Sequence, residues 1–267
     1  MGFLSKYAIG IQIGKGFSGT VFECFCRKTG KKYACKIISG MKEIERNCHE
    51  IDVMKTLSHK NINNIKEIFY ERETKNPRNY IITDFADKDL FDYTKQHKTT
   101  ENSAKHFTKQ ILQVVNYLHI NNICHCDLKH ENFLCFNVSN EDYFENVSLK
   151  LIDFEFSKYT HNNIGKRKRL IGRSGTISFM APEMLKKKTY TELVDMWSVG
   201  VITYSMLYHT YPIVYQRIEI PESFNVNYFN NPNISDNAVD FVKNLLVEEP
   251  KNRMTSHEAL NHEWLQI

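Results

Sequence analysis

Hydrophobic and polar residues alternate at the start of this chain and change period further on. Thr20-Val21-Phe22-Glu23-Cys24-Phe25 and Tyr33-Ala34-Cys35-Lys36-Ile37-Ile38 carry the two-residue rhythm of strands. Strands are expected from about Tyr7 to Ile38. Lys42 to Leu57 then shifts to the spacing of an amphipathic helix, and two further strands end at Ile81-Ile82-Thr83. Helical periodicity dominates from Ser103-Ala104 onward. The longest apolar run, Met196 to Tyr208, contains Ser and Thr and is too short to cross a bilayer, so a buried core helix accounts for it. No long linker, repeat or low-complexity tract interrupts the chain. The pattern describes an α+β protein with a small β-rich part followed by a larger, mainly helical one.

Candidate chemistry sits at the breaks in this pattern. Gly14-Lys15-Gly16-Phe17-Ser18-Gly19 precedes a strand. A dinucleotide fingerprint would open a helix instead. The glycines therefore belong to a hairpin whose backbone N–H groups can lie over phosphates. Lys36 lies among residues of buried type, where an unpaired charge is costly. Phosphates plus Glu50, on the amphipathic stretch, would supply its anionic partners. His125-Cys126-Asp127-Leu128-Lys129-His130-Glu131-Asn132, followed by Asp153-Phe154, carries a base candidate in Asp127. Asn132 and Asp153 are hard oxygen ligands suited to Mg²⁺. Taken alone, the stretch reads more readily as an Asp/Asn-rich turn between apolar strands, and the agreement of distant segments overturns that reading.

In order and separation these segments resemble the eukaryotic protein kinase signature. Ala181-Pro182-Glu183 stands where that family closes its activation segment, and Asp195-Met196-Trp197-Ser198-Val199-Gly200 resembles its central buried helix. Arg253 matches the arginine that pairs with the glutamate corresponding to Glu183. The resemblance implies one catalytic domain over 1–267 with a bilobal fold. Its antiparallel β-rich N-lobe would span about 7–83 and carry one helix, its hinge about 84–88, and its helical C-lobe about 89–265. ATP and Mg²⁺ are implied, with the nucleotide between the lobes. Gly14, Lys15, Gly16, Gly19, Val21, Ala34, Lys36, Thr83, Asp84, Ala86 and Leu134 would contact ATP. The adenine would bond the backbone of Asp84 and Ala86, and the small Thr83 would guard the pocket behind it.

Lys129, two residues after the base, resembles the serine/threonine rather than the tyrosine pattern. In the family this lysine reaches the transferred phosphate, and Thr176 bridges it to the base. Thr176, Glu183, Asp195 and Arg253 would then be structural. Asp89-Leu90-Phe91-Asp92 and the ending His262-Glu263-Trp264-Leu265 are similar to the calcium/calmodulin-dependent and calcium-dependent kinase group. In that group carboxylates placed like Asp89 and Glu131 select arginine upstream of the phosphorylated residue. The alternative is that both acids are merely solvated. Ser205 stands in place of an acidic residue common in strongly basophilic kinases.

The chain departs from the family at informative places. Cys126 replaces the arginine that binds a phosphorylated activation-loop residue. Activity independent of that phosphorylation is therefore expected. Ser157, Thr160 and Ser174 are the positions available for such a phosphate. His130 replaces a proline and Phe179 a common tyrosine. Glu155 replaces the glycine of D-F-G and adds a negative charge beside Asp153. That substitution raises an alternative function, a kinase-fold pseudoenzyme that binds nucleotide or partners without catalysis. Against it, Lys36, Glu50, Asp127, Asn132 and Asp153 are all present.

Composition narrows the setting. Of 267 residues 42% are hydrophobic and 25% charged, ordinary for a soluble enzyme, and the net charge of +4 makes no separate case for nucleic acid. Seven cysteines show no disulfide framework. Cys24 and Cys26 share one strand face, and with Cys124 and Cys126 they suggest zinc less strongly than reduced packing thiols. The sequons at Asn137, Asn146 and Asn233 read as chance. Lys166-Arg167-Lys168-Arg169 reads as a solvated stretch, or as a substrate, phosphate or nuclear-localisation contact. The expectation is a cytoplasmic monomer, with a nuclear alternative, that acts on protein substrates without membrane or nucleic-acid partners.

Overall fold

The computed structural model describes residues 2–16, 19–71, 74–139, 143–162, 164–212 and 231–266. Phe17 and Ser18 of the glycine hairpin lie outside the described residues. The chain divides into two compact units. One contains residues 1–87 with Ile152–Glu155, and the other Lys88–Leu151 with residues 156–267.

The first unit comprises α1 (Phe3–Lys6), β1 (Tyr7–Gly16), β2 (Gly19–Cys26), β3 (Lys32–Ser39), α2 (Met41–Thr56), β4 (Glu67–Glu71) and β5 (Arg78–Asp84). Its strands form one antiparallel sheet in the order β1-β2-β3-β5-β4. Side-chain alternation divides the apolar residues between two clusters. Phe3, Tyr7, Cys24, Cys26, Cys35, Tyr80 and Ile82 form one. Ile38, Ile44, Ile51 and Ile81 form the other, which joins α2 to the sheet. Burying each such isoleucine stabilises the unit by roughly 2 kcal/mol. Cys24 and Cys26 do share a face, as free packing thiols. The short α1 was not legible as an element. Phe3 anchors it by stacking on Tyr80 at 4.3 Å and Tyr7 at 5.7 Å.

The second unit runs through β6 (Lys88–Asp89), α3 (Leu90–Gln96), α4 (Glu101–Ile120), β7 (Ile123–Cys124), β8 (Phe133–Phe136), β9 (Ser148–Leu151) and β10 (Lys158–Tyr159). It continues with α5 (Pro182–Leu185), α6 (Leu193–Tyr208), α7 (Asp236–Leu245), α8 (Ser256–Leu260) and α9 (Glu263–Gln266). A capping box starts α4, with Thr100 and Ser103 exchanging side-chain and backbone hydrogen bonds. The apolar run expected to be a core helix is α6, buried from Val194 through Tyr204. A helix apolar all round has no solvent face, so others must surround it. Among these is α4, whose Thr108 hydroxyl meets that of Thr203 at 3.1 Å.

One buried ion pair ties the end of this unit to its middle. The Arg253 guanidinium donates to both Glu183 oxygens at 2.8 and 3.1 Å, and to the carbonyls of Leu193 and Val247. Its side chain is 0% exposed and that of Glu183 6%. Arg253→Met would leave the Glu183 charge buried without its partner. We expect the denaturant midpoint to fall by the equivalent of about 3–5 kcal/mol, the usual effect of breaking a buried pair. A loss under about 1 kcal/mol, as for surface pairs, would contradict this account.

Candidate active site

In the first unit the register of β3 places Lys36 opposite Val21 of β2 and Ile81 of β5. Its Nζ donates to both oxygens of Glu50 on α2, at 2.7 and 3.0 Å. Glu50 is almost wholly buried while the lysine keeps 20% exposure. The pair therefore offers a fixed cation on the side that remains open. Gly14 pairs with Val21, and Gly16 with Gly19, at the mouth of the glycine hairpin. A Cβ at Gly19 would approach the Ile37 carbonyl oxygen to 2.7 Å, so only glycine lets the hairpin lie this close to β3. Ala34 pairs with Thr83, and the Asp84 carbonyl accepts from Asn63 Nδ2 at 3.1 Å. Asp153 adopts a left-handed φ of 64°, and its carboxylate accepts the Glu155 N–H at 3.4 Å. Phe154, between them, is fully buried. Glu155 is not among the residues with positive φ, so its backbone there does not require glycine.

In the second unit Asp127 is 4% exposed and held at both carboxylate oxygens. Thr176 N–H donates to Oδ1 at 2.8 Å, and Lys129 Nζ lies 3.1 Å from Oδ2. Lys129 also donates to Thr176 Oγ1 at 3.0 Å, which closes a ring of three residues. Gly175 makes this approach possible. Its φ is 96°, and a Cβ there would fall 2.6 Å from the Cys126 carbonyl oxygen and 2.8 Å from Asp127 Oδ1. Asn132 Nδ2 donates to the Asp127 carbonyl at 2.7 Å, which turns the amide oxygen away from that bond. Leu134 follows on β8.

Asp195 of α6 supports this loop from below. Its Oδ2 accepts from the His125 N–H at 2.8 Å and its Oδ1 from the Cys126 N–H at 2.9 Å, and His119 Nε2 meets Oδ2 at 3.0 Å. Burial pushes the Asp195 carboxyl up, but the His119 and His125 contacts outweigh it and hold it below the usual carboxylate range. Cys126 itself sits at φ 66°, a conformation disfavoured for any residue with a Cβ. The paired N–H groups hold it there. Sequence reasoning reached Asp195 through the family pattern but had no signal for His119.

The sites expected to accept an activating phosphate are corrected by burial. Ser157 and Thr160 are each 3% exposed, which removes them as ready acceptors, whereas Ser174 is half-buried. The basic run is exposed, as expected of a solvated stretch, and is also hydrogen-bonded. Asn162 N–H donates to the Lys166 carbonyl and Lys168 N–H to that of Thr160, while Arg167 pairs with Glu192. Of the proposed specificity acids, Glu131 is exposed. Asp89 caps α3, accepting the Asp92 N–H at 2.8 Å.

Comparison with known proteins identifies the family to which these two units belong. The protein kinase domain family matches residues 7–265, and the chain belongs to that family. It is 34% identical to a probable myosin light chain kinase of Dictyostelium discoideum, over 97% of this chain and 74% of that protein. It is 36% identical to calcium/calmodulin-dependent protein kinase type IV of Mus musculus, over 95% of this chain and 53% of that protein. Calcium-dependent protein kinase 20 of Oryza sativa subsp. japonica is 34% identical over 98% of this chain and 48% of its own length. Family and relatives together make this an ATP-dependent protein kinase domain of the serine/threonine type.

His130 yields a test of the loop's packing. It is buried with Nε2 at 2.7 Å from Ser205 Oγ, its ring edge-on to Phe179, and Nδ1 without a hydrogen-bond partner among the described residues. Burial pushes its pKa from 6.5 down to about 4. Between those values the unfolded chain takes up a proton that the folded chain refuses, so stability is lost as pH falls through that window. His130→Gln should flatten this acid limb by up to about 1.4 kcal/mol per pH unit. Urea midpoints measured from neutral pH downward check it, and equal slopes for both proteins would contradict it.

Proposed function

We propose that this chain transfers the γ-phosphoryl group of MgATP to serine or threonine hydroxyls of proteins, with Asp127 as the base. The observation that carries this reading is the clamped Asp127 carboxylate, oriented by Thr176 and Lys129 within hydrogen-bond reach. An acceptor hydroxyl bonded to Asp127 would be aimed and would lose its proton to that carboxylate as its oxygen bonds the γ-phosphorus, while the bond from that phosphorus to the bridging oxygen breaks and ADP leaves. Lys129 would meet the charge of the transferred group. Lys36, kept in place by Glu50, would hold the nucleotide's phosphates, with the hairpin of Gly14, Lys15, Gly16 and Gly19 above them. Val21, Ala34, Thr83 and Leu134 would enclose the base. The adenine would bond the backbone of Asp84, whose carbonyl also accepts from Asn63, and that of Ala86.

Magnesium fits the donor set, because Asn132 offers an amide oxygen and Asp153 a carboxylate, both hard ligands. When bound, the ion would spread the phosphate charge. Glu131 and the free edge of Asp89 would favour a basic residue upstream in the substrate. The seven free cysteines suit a reducing compartment, cytosol or nucleus. Among the described residues no helix is long and apolar enough to cross a membrane.

Transfer of labelled phosphate from ATP to serine and threonine peptides tests the function. Lys36→Met should lower kcat by orders of magnitude in a protein that still folds, with a lowered thermal midpoint because the buried Glu50 carboxylate loses its cation. Asp127→Asn should lose transfer yet bind nucleotide, whereas Asp153→Asn should also lose the Mg²⁺-dependent thermal shift given by ATP. Undiminished MgATP binding by Asp153→Asn would remove its metal role.

Glu155 separates an enzyme from a partner-binding relative. Because its backbone is unstrained and Phe154 is buried, we expect wild-type activity, with Glu155→Gly equal or higher. Inhibitors that need Phe154 displaced should respond weakly. A silent wild type restored by Glu155→Gly would mean that the native chain does not catalyse transfer.

A further inference from the structure

Cys126 cannot hold a phosphate, yet the segment from Lys158 to Thr176 is tied down. The bonds that do this centre on two residues that the catalytic reading leaves unused. Lys158, on β10, donates through Nζ to the Tyr190 hydroxyl at 2.7 Å and to the Ile171 carbonyl at 2.8 Å. The Tyr190 hydroxyl in turn donates to the same carbonyl at 3.4 Å. The Tyr190 backbone exchanges two hydrogen bonds with Leu170, each 3.0 Å. Tyr190 is 3% exposed.

The position of this cluster matters more than its size. The Tyr190 phenol lies near Cys126, whose carbonyl lies against Gly175, and near Ser174. Burial and the neighbouring thiols keep the phenol from ionising, so it stays neutral toward the Lys158 ammonium. Segments of this type are commonly ordered when a phosphorylated residue pairs with arginine. Here a cation and a phenol attach the same stretch, with the cation supplied by the segment itself. Lys158 is bonded to a carbonyl and a hydroxyl and is already engaged without a phosphate. Arg173 reinforces the arrangement through the Leu185 carbonyl at 3.1 Å.

We propose that Lys158 and Tyr190 form a permanent latch that positions the substrate-docking end of the activation segment without phosphorylation. Both are positioning residues, because they touch neither nucleotide nor acceptor and act through Leu170 and Ile171 on the stretch that leads to Thr176. The proposal rests on the kinase reading above and deepens it by assigning the device that replaces an activating phosphate.

The test uses the full chain treated with phosphatase, MgATP and a serine peptide that it phosphorylates. Tyr190→Phe removes only the hydroxyl, Lys158→Met removes the cation, and Lys158→Arg keeps it. We expect phosphatase-treated wild type to be fully active. Tyr190→Phe and Lys158→Met should raise the peptide KM about tenfold, the usual effect of losing a hydrogen bond to a charged group, with the ATP KM unchanged. Lys158→Arg should stay within about twofold of wild type. A general loss of fold would lower the thermal midpoint and disturb both KM values together. Hydrogen exchange at Leu170 and Tyr190, whose N–H groups bond each other's carbonyls, should accelerate in Tyr190→Phe. Silencing by phosphatase, or a Tyr190→Phe protein with wild-type peptide KM and exchange, would overturn the latch. If wild type phosphorylated no peptide, the kinase reading would fall, and hydrogen exchange would still decide the latch.

Discussion

Two backbone N–H groups and one buried carboxylate organise the catalytic loop. Asp195, 1% exposed, accepts from His125 and Cys126 in succession, and His119 occupies the other side of Oδ2. A buried charge is tolerated only when hydrogen-bonded on all sides, and here the donors belong to the loop whose geometry matters. The cost of holding Cys126 at φ 66° is offset by these charge-assisted bonds. That conformation sets the Cys126 carbonyl against Gly175 and aims Asp127 at the Thr176 N–H. A helix apolar all round is a suitable base for such a carboxylate, since its packing leaves α6 little freedom to shift.

Placement of charge follows one rule throughout. Each functional cation is paired with an anion more buried than itself. Glu50 is covered while Lys36 keeps an open side, and Asp127 is covered while Lys129 stays 21% exposed. The buried partner fixes the geometry in a low-dielectric setting, and under the proposed function the open side of the cation would meet phosphate. Arg253 and Glu183 show the contrast. Both are enclosed, the guanidinium is saturated by carbonyls, and nothing remains for a ligand. Exposure thus distinguishes a working ion pair from a structural one with the same chemistry.

The activation segment shows how a missing charge changes the surroundings. With cysteine before the base, the neighbourhood becomes thiol, phenol and ammonium, and Cys126 Sγ lies 3.3 Å from that of Cys124. Such a cluster remains assembled as long as the chain is folded, whereas a phosphate-dependent one is assembled only after modification. Ser157 and Thr160 are buried within the same stretch, consistent with a segment that is already folded in place.

The residue pattern by itself determined the elements and the chemistry. Alternation at Thr20–Phe25 and Tyr33–Ile38 was legible because one-sided burial imposes a period of two, and the strands found there agree. The apolar run at Met196–Tyr208 was legible because only a fully enclosed helix can be apolar all round. The glycine hairpin, Lys36, Asp127 and Asn132 stood out because their order and separation resemble the protein kinase signature, whose residue types suit phosphate chemistry. Tertiary structure alone decided which atoms meet. Nothing local to Tyr190 or Lys158 marks them, since their bond spans 32 positions and depends on how two loops cross. Asp89, read from the family pattern as a substrate contact, also caps α3, and Ser157 and Thr160 looked available until packing covered them. Burial and long-range hydrogen bonding are properties of the assembled fold, so a side chain's identity limits its possible roles and its neighbours select one.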